Sequence, residues 1–319
     1  MGEILGSQEY RHVGPPTTTA ARGLRVDQFL AQFYPFRSRS EWKSFCHRRE
    51  LLVDGRPVRG SHRLQGGEQI SVYHPLSAEP TVDDGIQILA EMAGVLAVLK
   101  PGNLPMHESG EFRRRTFAVA LAGLRDASWH PVHRLDRETS GIVICASSPD
   151  LRCALSELFE EQKIDKRYLA IVYGVLPWDE RVIEAPLALD PSAHRPRYIV
   201  STSGLHARSD VRVVQRASAA TLVEVRPRTG RTNQIRAHLA AIGHPLVGDK
   251  VYHPDPTVYA AYRHDGDSDK VRRLAGFSRH ALHAASIKFE HPRTGREFSI
   301  TNELPADLTS LWHDFQNRA

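Results

Sequence analysis

The sequence predicts an α+β protein of two domains, the larger of which is built on a mainly antiparallel sheet. Strand-like segments follow one another along most of the chain, without the regular helical crossovers that a parallel sheet requires. The length of 319 residues allows about two domains. A composition of 41% hydrophobic and 25% charged residues is typical of soluble globular proteins and excludes fibrous and wholly disordered classes.

The cysteine content and the absence of long apolar runs indicate a cytoplasmic protein. Cys46, Cys145 and Cys153 are too few for a disulfide framework and contain no C-x-x-C pair, which favours a reducing compartment. No stretch approaches the roughly 18 apolar residues of a membrane span, and the N-terminus lacks the basic start and apolar core of a secretory signal. We therefore expect no membrane partner. The sequence does not reveal the oligomeric state, for which a monomer is the default expectation.

The basic charge is concentrated near the N-terminus. Residues 1–20, with a Pro-Pro pair and a threonine run, are predicted to form a flexible tail. Residues 22–76 then contain ten basic and five acidic side chains, and this excess of five equals the net charge of the whole chain. Such a patch favours polyanions, because phosphate neutralisation releases counterions, although an ordinary solvated surface has the same composition.

Two helices and a hairpin are predicted within a small domain, residues 21–76. Apolar residues at helical spacing predict a first helix from Val26 to Phe33. Ser38 and Glu41 form a capping-box pattern that begins a second helix. The Asp54-Gly55 pair predicts a tight turn between two strands. The predicted strands are 51–53, 56–58 and 69–73.

A linker at 76–85 separates the small domain from a larger one, residues 85–319. Apolar runs and alternations in the larger domain predict strands at 95–99, 142–146, 167–173, 182–189, 210–215, 221–226 and 282–289.

Three helices are predicted in the larger domain. The first is capped by Asp150, the second runs from 232 to 242, and a last short helix carries Leu308 and three further apolar residues. The stretch 253–279 is dense in charge and turn formers, and we expect it to be a surface excursion.

The segment PVHRLDRETSG places Asp136 in a polar, turn-forming loop that leads into an apolar strand. Arg134 and Arg137 bracket the carboxylate and favour its charged form. From the residues alone, Asp136 is a candidate nucleophile, base or metal ligand, or simply an Asx-turn acceptor, the commonest role of a loop aspartate. The 17 histidines form no recognised metal-binding pattern and no phosphate-binding glycine loop is present, so we expect neither a metal site nor a cofactor.

HRLDRETSG resembles the signature of the RluA-type pseudouridine synthases. Four further blocks occur in that family's order: LAVLKPGNLPMH ahead of the signature, and KRYLAIVYG, RPRTGRTNQIRAHLAAIGHPLVGDKVY and HALHAASIKFEHPRTG after it. The resemblance spans roughly residues 85–300 and implies a pseudouridine synthase fold. It also implies an isomerase that converts specific uridines of RNA to pseudouridine without a metal or cofactor.

The resemblance implies a role for four residues. Asp136 takes the position of the catalytic aspartate, Tyr168 that of the active-site tyrosine, and Arg236 that of the basic residue paired with the aspartate. Arg134 takes the position of an arginine that helps to displace the target base. Without the resemblance, Tyr168 reads as a core residue on an alternating strand, and Arg236 as a side chain that points away from the packing face of its helix.

The small domain resembles the RNA-binding module named after the fourth ribosomal protein of the small subunit. The likeness rests on RVDQFL, SRSEWKSFC, RRELLVDGRPV and RLQGGEQISV. It implies RNA contacts by the basic residues of the second helix and the hairpin edge: Arg37, Arg39, Lys43, Arg48 and Arg49.

The RNA substrate is predicted to be large-subunit ribosomal RNA, which family members with this appended module favour. The alternatives are a transfer RNA pseudouridine synthase, a noncatalytic RNA-binding protein on the same scaffold, and a hydrolase with an aspartate nucleophile. Two departures from the family pattern are Asn233, where histidine is common, and KPGN in place of the commoner KP-x-G order. Neither changes the three residues of the expected mechanism.

Overall fold

The computed structural model describes residues 3–5, 8–12, 17, 19–34, 38–75, 79–109, 112–126, 128–191, 193 and 197–317. The chain divides into two compact units, Met1–Pro80 and Thr81–Ala319. The division falls within the segment 76–85 that the sequence predicts to be a linker.

The first unit is a five-stranded antiparallel sheet with two helices. Its elements are β1 (Glu3–Leu5), β2 (Gln8–His12), α1 (Val26–Phe33), α2 (Arg39–His47), β3 (Leu51–Val53), β4 (Arg56–Pro57) and β5 (Ile70–Pro75). The strand order is β1-β2-β5-β3-β4. The structure differs here from the predicted flexible tail, because β2 pairs with β5 through backbone groups that side-chain patterns do not reveal.

The capping box at the start of α2 is confirmed. Ser38 Oγ accepts a hydrogen bond from the Glu41 N–H at 3.3 Å, and a Glu41 carboxylate oxygen accepts one from the Ser38 N–H at 2.7 Å. The turn of the β3–β4 hairpin is confirmed at Asp54 and Gly55, which have φ of 48° and 75°. Phe33 departs from the pattern of its helix, because its side chain is 52% exposed.

The second unit is built on a ten-stranded sheet. The twelve described strands of the unit are β6 (Gln87–Met92), β7 (Val95–Lys100), β8 (His130–Pro131), β9 (Ser140–Ala146), β10 (Asp165–Tyr173), β11 (Glu180–Glu184), β12 (Leu187–Leu189), β13 (Tyr198–Val200), β14 (Arg208–Arg216), β15 (Ala220–Pro227), β16 (Leu282–Glu290) and β17 (Glu297–Thr301). Ten of them lie in this sheet and two, β12 and β13, in a separate pair. Its helices are α3 (Phe117–Leu124), α4 (Pro149–Glu160), α5 (Gln234–Ala241), α6 (Pro256–Asp265), α7 (Asp269–Leu274) and α8 (Ala306–Asn317).

The predicted fold class, α+β with a mainly antiparallel sheet, is confirmed. The main path of the sheet is β11-β14-β15-β10-β16-β9-β7-β6, with β8 beside β9 and β17 beside β16, while β12 and β13 form a separate hairpin. Within the described chain, β9 and β16 form the one parallel pair. Alternate residues of β7 and β9 pack against α3 on one face and α4 on the other, so helices cover both faces of the sheet there.

Several element bounds differ from the sequence-based prediction. The predicted strand 182–189 is divided at Pro186, which has no N–H to donate to a continuous ladder, into β11 and β12. Ser148, not Asp150, caps α4, because its hydroxyl accepts the Leu151 N–H while Asp150 lies in the first turn. The predicted excursion 253–279 contains the helices α6 and α7.

Gly141, the second residue of β9, fits a position that excludes any side chain. Its φ is +123°, and a Cβ at this position would lie 2.4 Å from the carbonyl oxygen of Ala284 on the adjacent parallel strand. β9 directly follows the loop that carries Asp136, so this close approach also fixes where the loop joins the sheet.

We predict that Gly141→Ala lowers the free energy of unfolding by more than about 2 kcal/mol, because it combines a backbone clash with an unfavourable φ. The matched control is Gly123→Ala in α3, where a Cβ meets no atom within 4 Å. The control should be neutral or more stable by up to about 1 kcal/mol, because alanine has the higher helix propensity. Urea unfolding of the two variants tests this, and equal midpoints would contradict it.

Candidate active site

Asp136 lies in the loop between β8 and β9, and a turn holds it in place. The carbonyl oxygen of Asp136 accepts the N–H of Thr139 at 3.1 Å, which closes a four-residue turn. The Thr139 hydroxyl in turn contacts His280 Nε2 at 2.7 Å in the interior. The backbone of the loop is therefore held by contacts to the interior of the unit, while the Asp136 side chain is 28% exposed.

A single guanidinium connects Asp136 to the interior of the unit. Arg236, on α5, donates from Nη1 to Asp136 Oδ2 at 3.0 Å. Its other edge makes a bidentate pair with Asp249, from Nε to Oδ2 at 2.7 Å and from Nη2 to Oδ1 at 3.0 Å. Asp249 is fully buried. This fork fixes the plane of the guanidinium, and therefore the direction from which Arg236 meets the Asp136 carboxylate.

Burial and ion pairing shift the pKa values of Arg236 and Asp249 in opposite directions. Burial alone lowers the pKa of Arg236, but the Asp249 and Asp136 carboxylates, with Tyr252, together outweigh it and raise the pKa well above its usual value. Burial alone raises the pKa of Asp249, but the Arg236 guanidinium outweighs it and lowers the pKa. Both side chains are therefore charged at neutral pH.

Asn233 and Tyr252 complete the surroundings of the guanidinium. Asn233 Oδ1 accepts from Arg236 Nη1 at 3.0 Å, so it shares this nitrogen with Asp136. Asn233 precedes α5 with φ of 55°, a conformation that asparagine tolerates better than most residues. The Tyr252 ring lies 5.2 Å from the guanidinium carbon. The departure from the family pattern at 233 therefore keeps a polar contact to Arg236.

Tyr168 lies with Asp136 and Arg236 in the wall of one open cleft of about 520 Å³. Burial, and then the charge of Asp136, raise the pKa of Tyr168, so its phenol stays neutral. The cleft therefore offers an aromatic ring beside a carboxylate. A ring of this kind can stack on a planar base, and its hydroxyl can donate a hydrogen bond.

The arginines adjacent to Asp136 in sequence do not pair with it. Arg134 is exposed at the cleft. Arg137 turns instead to Asp267 and Glu138, with Nη2 to oxygen distances of 2.6 and 3.3 Å. The ion-pair partner of Asp136 is instead Arg236, one hundred residues further along the chain.

The expectation that Arg236 points away from the packing face, as an exposed arginine would, is wrong. Its side chain is only 10% exposed, because Asp249 supplies a partner in the interior. His133, the first residue of HRLD, is structural: its Nε2 accepts the Ile144 N–H at 3.0 Å, and burial, then the charge of Lys166, lower its pKa to about 3. Its imidazole is therefore neutral.

Buried charges that the sequence analysis did not identify support the loop. Lys100 is fully buried, and its ammonium donates to the carbonyl oxygens of Pro101, Leu104 and Arg137 at 2.9, 2.9 and 3.0 Å. Burial lowers the pKa of Lys100. The contact to Arg137 ties the loop to the end of β7.

A second buried ion pair lies behind the loop. Lys250 donates to Glu138 Oε1 at 2.9 Å and lies 3.5 Å from Asp267. Burial raises the pKa of Glu138, but Lys250 and Arg137 outweigh it and the pKa is lowered. The sequence signal for Asp249 and Lys250 was their position as charges inside the apolar run HPLVGDKVY.

Four of the five predicted RNA-binding residues of the first unit lie on α2 and the turn that follows it. Arg39, Lys43, Arg48 and Arg49 are exposed, and Arg37 lies outside the described residues. Arg39 donates to the buried Asp27 at 3.2 Å, and Arg48 donates to Glu50 at 2.7 Å. The side chains of Lys43 and Arg49 make no such bond within the described chain.

Neither a metal-binding cluster nor a membrane-spanning helix occurs in the described part of the chain. No three His, Cys, Asp or Glu side chains among them are grouped so that they could hold a metal ion. No helix in the described part of the chain is long and apolar enough to cross a membrane.

Comparison with known proteins identifies the family. The family profile described as RNA pseudouridylate synthase matches residues 94–241. The chain is 33% identical to ribosomal large subunit pseudouridine synthase D of Nitrosomonas europaea, over 92% of this chain and 85% of that protein. It is also 33% identical to an uncharacterized RNA pseudouridine synthase of Chloroflexus aurantiacus, over 99% of this chain and 97% of that protein.

Solved structures agree on the fold. Human RNA pseudouridylate synthase domain containing 4 superposes with a TM-score of 0.56 at 23% identity, over 72% of this chain and 92% of that one. Because it is 33% identical to RNA pseudouridine synthases over most of its length, the chain belongs to the RNA pseudouridine synthase family, and it is an isomerase.

We predict that Asp249→Asn lowers the free energy of unfolding at pH 7 by about 3 kcal/mol, because it leaves the buried Arg236 with one carboxylate in place of two. The matched control is Asp314→Asn on the exposed face of α8, which should change stability by less than about 0.5 kcal/mol.

The contribution of Asp249 to stability should decrease as the pH is lowered. The pKa of Asp249 is lowered in the folded protein, so its contribution is present above the unfolded value near 4 and is lost as the pH falls through the folded value. Between pH 7 and pH 3, wild type should lose more stability than Asp249→Asn does. Parallel losses in the two proteins, measured by urea unfolding, would show that the pair does not act as described.

Proposed function

We propose that this pseudouridine synthase isomerises uridine in large-subunit ribosomal RNA and that Asp136 is its catalytic residue. The observation that carries the proposal is the position of the Asp136 carboxylate, held by Arg236 in an open cleft beside Tyr168. The large-subunit substrate is supported by the names of relatives that cover most of the chain.

The reaction requires one bond to break and another to form at the same sugar carbon. The bond from N1 of uracil to C1′ of ribose breaks, the base turns, and C5 bonds to C1′. C5 then loses its proton and N1 ends with one, so no atom is gained or lost. No oxidant, reductant or group donor is consumed, and we propose that no cofactor takes part.

Asp136 supplies the charged group that this sequence of steps needs. An ionised carboxylate can attack C1′ as a nucleophile, or remove a proton from the sugar to give a glycal. Either path requires the carboxylate to be aimed at the sugar, and Arg236 performs that orientation by occupying one carboxylate oxygen. The other oxygen remains for the substrate.

The other residues of the cleft hold the nucleotide. A uridine stacked in folded RNA must be extruded before its glycosidic bond is accessible, which costs a few kcal/mol. Tyr168 offsets part of this cost by stacking on the uracil, and Arg134, exposed at the cleft, replaces the extruded base. Arg236 is a positioning residue, because it acts through Asp136.

The first unit supplies RNA affinity in this proposal, as its likeness to the ribosomal-protein module implies. Arg39, Lys43, Arg48 and Arg49 present exposed positive charge along α2 and the following turn.

We further propose a monomer that acts in the cytoplasm, where ribosomal RNA of the kind modified by the named relatives is found. A transfer RNA substrate and a noncatalytic RNA-binding role are the competing outcomes of the experiments below.

We predict that Asp136→Asn abolishes pseudouridine formation but leaves RNA affinity within about threefold, because the substitution keeps the shape of the side chain and removes its charge. Tritium release from RNA labelled at C5 of uridine measures the reaction, and fluorescence anisotropy measures binding. Asp150→Asn on the exposed start of α4 is the matched control and should retain full activity.

Turnover by Asp136→Asn would reject the catalytic role of this residue. If the wild-type enzyme modifies transfer RNA but not large-subunit ribosomal RNA, transfer RNA is the substrate and the proposed ribosomal substrate is rejected. Tight binding without turnover on either RNA would favour the noncatalytic role.

We predict that the pair of substitutions Lys43→Gln and Arg49→Gln weakens RNA binding and reduces its salt dependence, while kcat stays within about twofold. Two lost phosphate contacts should reduce the slope of log affinity against log salt by roughly 1.4 to 1.8. The control pair is Lys288→Gln and Arg296→Gln, exposed cations of β16 and the turn after it. Slopes that match between the two pairs would count against RNA docking on α2.

A further inference from the structure

The cleft that holds Asp136 adjoins a second depression on the surface of the same unit. This depression has a volume of about 410 Å³, and Gln162 and Thr229 line both it and the cleft. Its remaining lining is almost entirely charged: Glu184, His206, Arg208 and Arg228. Arg231 lines the cleft on the side of the shared Thr229.

Three arginines of this region each donate one hydrogen bond to the protein through Nε. Arg208 and Arg228 each donate from Nε to a different oxygen of Asp210, at 3.1 and 2.7 Å. Arg231 donates from Nε to the carbonyl oxygen of His206 at 3.0 Å. These are the side-chain hydrogen bonds that the three arginines make within the described chain. The terminal nitrogens of all three guanidiniums therefore remain for a ligand.

The charge of the region is positive. Asp210 is shared by two arginines, so one carboxylate faces two guanidiniums, and Arg231 has only a neutral oxygen as partner. His206 and Glu184 contact each other at 3.0 Å. The side chains of Arg208 and Arg228 are 42% and 48% exposed.

The backbone that presents these arginines is rigid. The buried Thr229 hydroxyl accepts the Arg208 N–H at 3.0 Å and donates to Gln234 Oε1 at 2.6 Å. The amide of the buried Gln234 donates to the Arg208 carbonyl oxygen at 2.9 Å and to Ser209 at 3.0 Å. The loop 228–233 is therefore fastened to β14, and the arginines are aimed before any ligand arrives.

We propose that Arg208, Arg228 and Arg231 form an arginine track that binds the phosphodiester backbone of the RNA next to the target uridine. Guanidiniums with free terminal nitrogens match phosphate oxygens bidentately. The track adjoins the cleft, so the strand that enters the cleft with its extruded nucleotide leaves along these arginines. This inference rests on the proposed function, and it adds the surface that sets the register of the RNA in the cleft.

The full-length variant Arg228→Gln, Arg231→Gln tests the arginine track. Arg208 is kept so that Asp210 retains a partner. The control variant is again Lys288→Gln, Arg296→Gln, which removes the same number of exposed cations from β16 and the turn that follows it. The binding probe is a fluorescein-labelled single-stranded RNA of 20 nucleotides, titrated at several salt concentrations, and activity is measured on a transcript of large-subunit ribosomal RNA.

The track variant should raise KM about tenfold, with kcat within twofold, and reduce the salt slope for the single-stranded probe by about 1.4. The control variant should match wild type. A KM and a salt slope equal to those of the control would overturn the track. A reduced slope, in a protein whose wild type shows no turnover, would support the track and reject the proposed function.

A folding defect is separated from a loss of contacts by a second variant. Arg228→Lys, Arg231→Lys keeps both charges and removes the bidentate geometry. It should recover the salt slope and leave KM raised about threefold. If the lysine variant recovers neither the salt slope nor the KM, these positions do not contact phosphate.

Discussion

The contact between Arg236 and two carboxylates is the interaction on which the site depends. Asp249 holds one edge of the guanidinium in the interior, and the remaining nitrogen meets Asp136 at the surface of the cleft. A buried charge is tolerated only when it is paired, so the fully buried Asp249 requires this arginine at this angle. The orientation of Asp136 is therefore set by Arg236, whose own direction is fixed by a carboxylate in the interior.

The same physical rule explains the rest of the loop. Glu138 and Lys250 are buried next to each other, and Lys100 places its ammonium among three carbonyl oxygens. Each charge has its partners, and each contact ties the HRLDRE segment to a different part of the sheet or its connections. These contacts hold the loop backbone from the interior, while the Asp136 side chain stays partly exposed in the open cleft.

The sequence predicted the six inner strands of the large sheet, the last helix and the capping box at Ser38, because these depend on local patterns of apolar and capping residues. It did not predict the short or outer strands β1, β2, β6, β8, β13 and β17. Through a family resemblance, it also predicted that Asp136, Tyr168 and Arg236 lie together in one cleft. It did not predict the partners of those residues. Asp249 and Lys250 are charges in an apolar run, and only the tertiary structure shows the opposite charges that face them. The pairing of β2 with β5 was missed for the same reason, since it joins backbone groups far apart in the chain.

The most direct test of the account is a crystal structure of the Asp136→Asn protein bound to RNA that contains the target uridine. The account predicts that the uridine is extruded into the cleft, with its uracil against the Tyr168 ring and the residue 136 side chain about 3.5 Å from the sugar of the same nucleotide. A uridine that remains stacked in the RNA, or that binds away from residues 136 and 168, would contradict it.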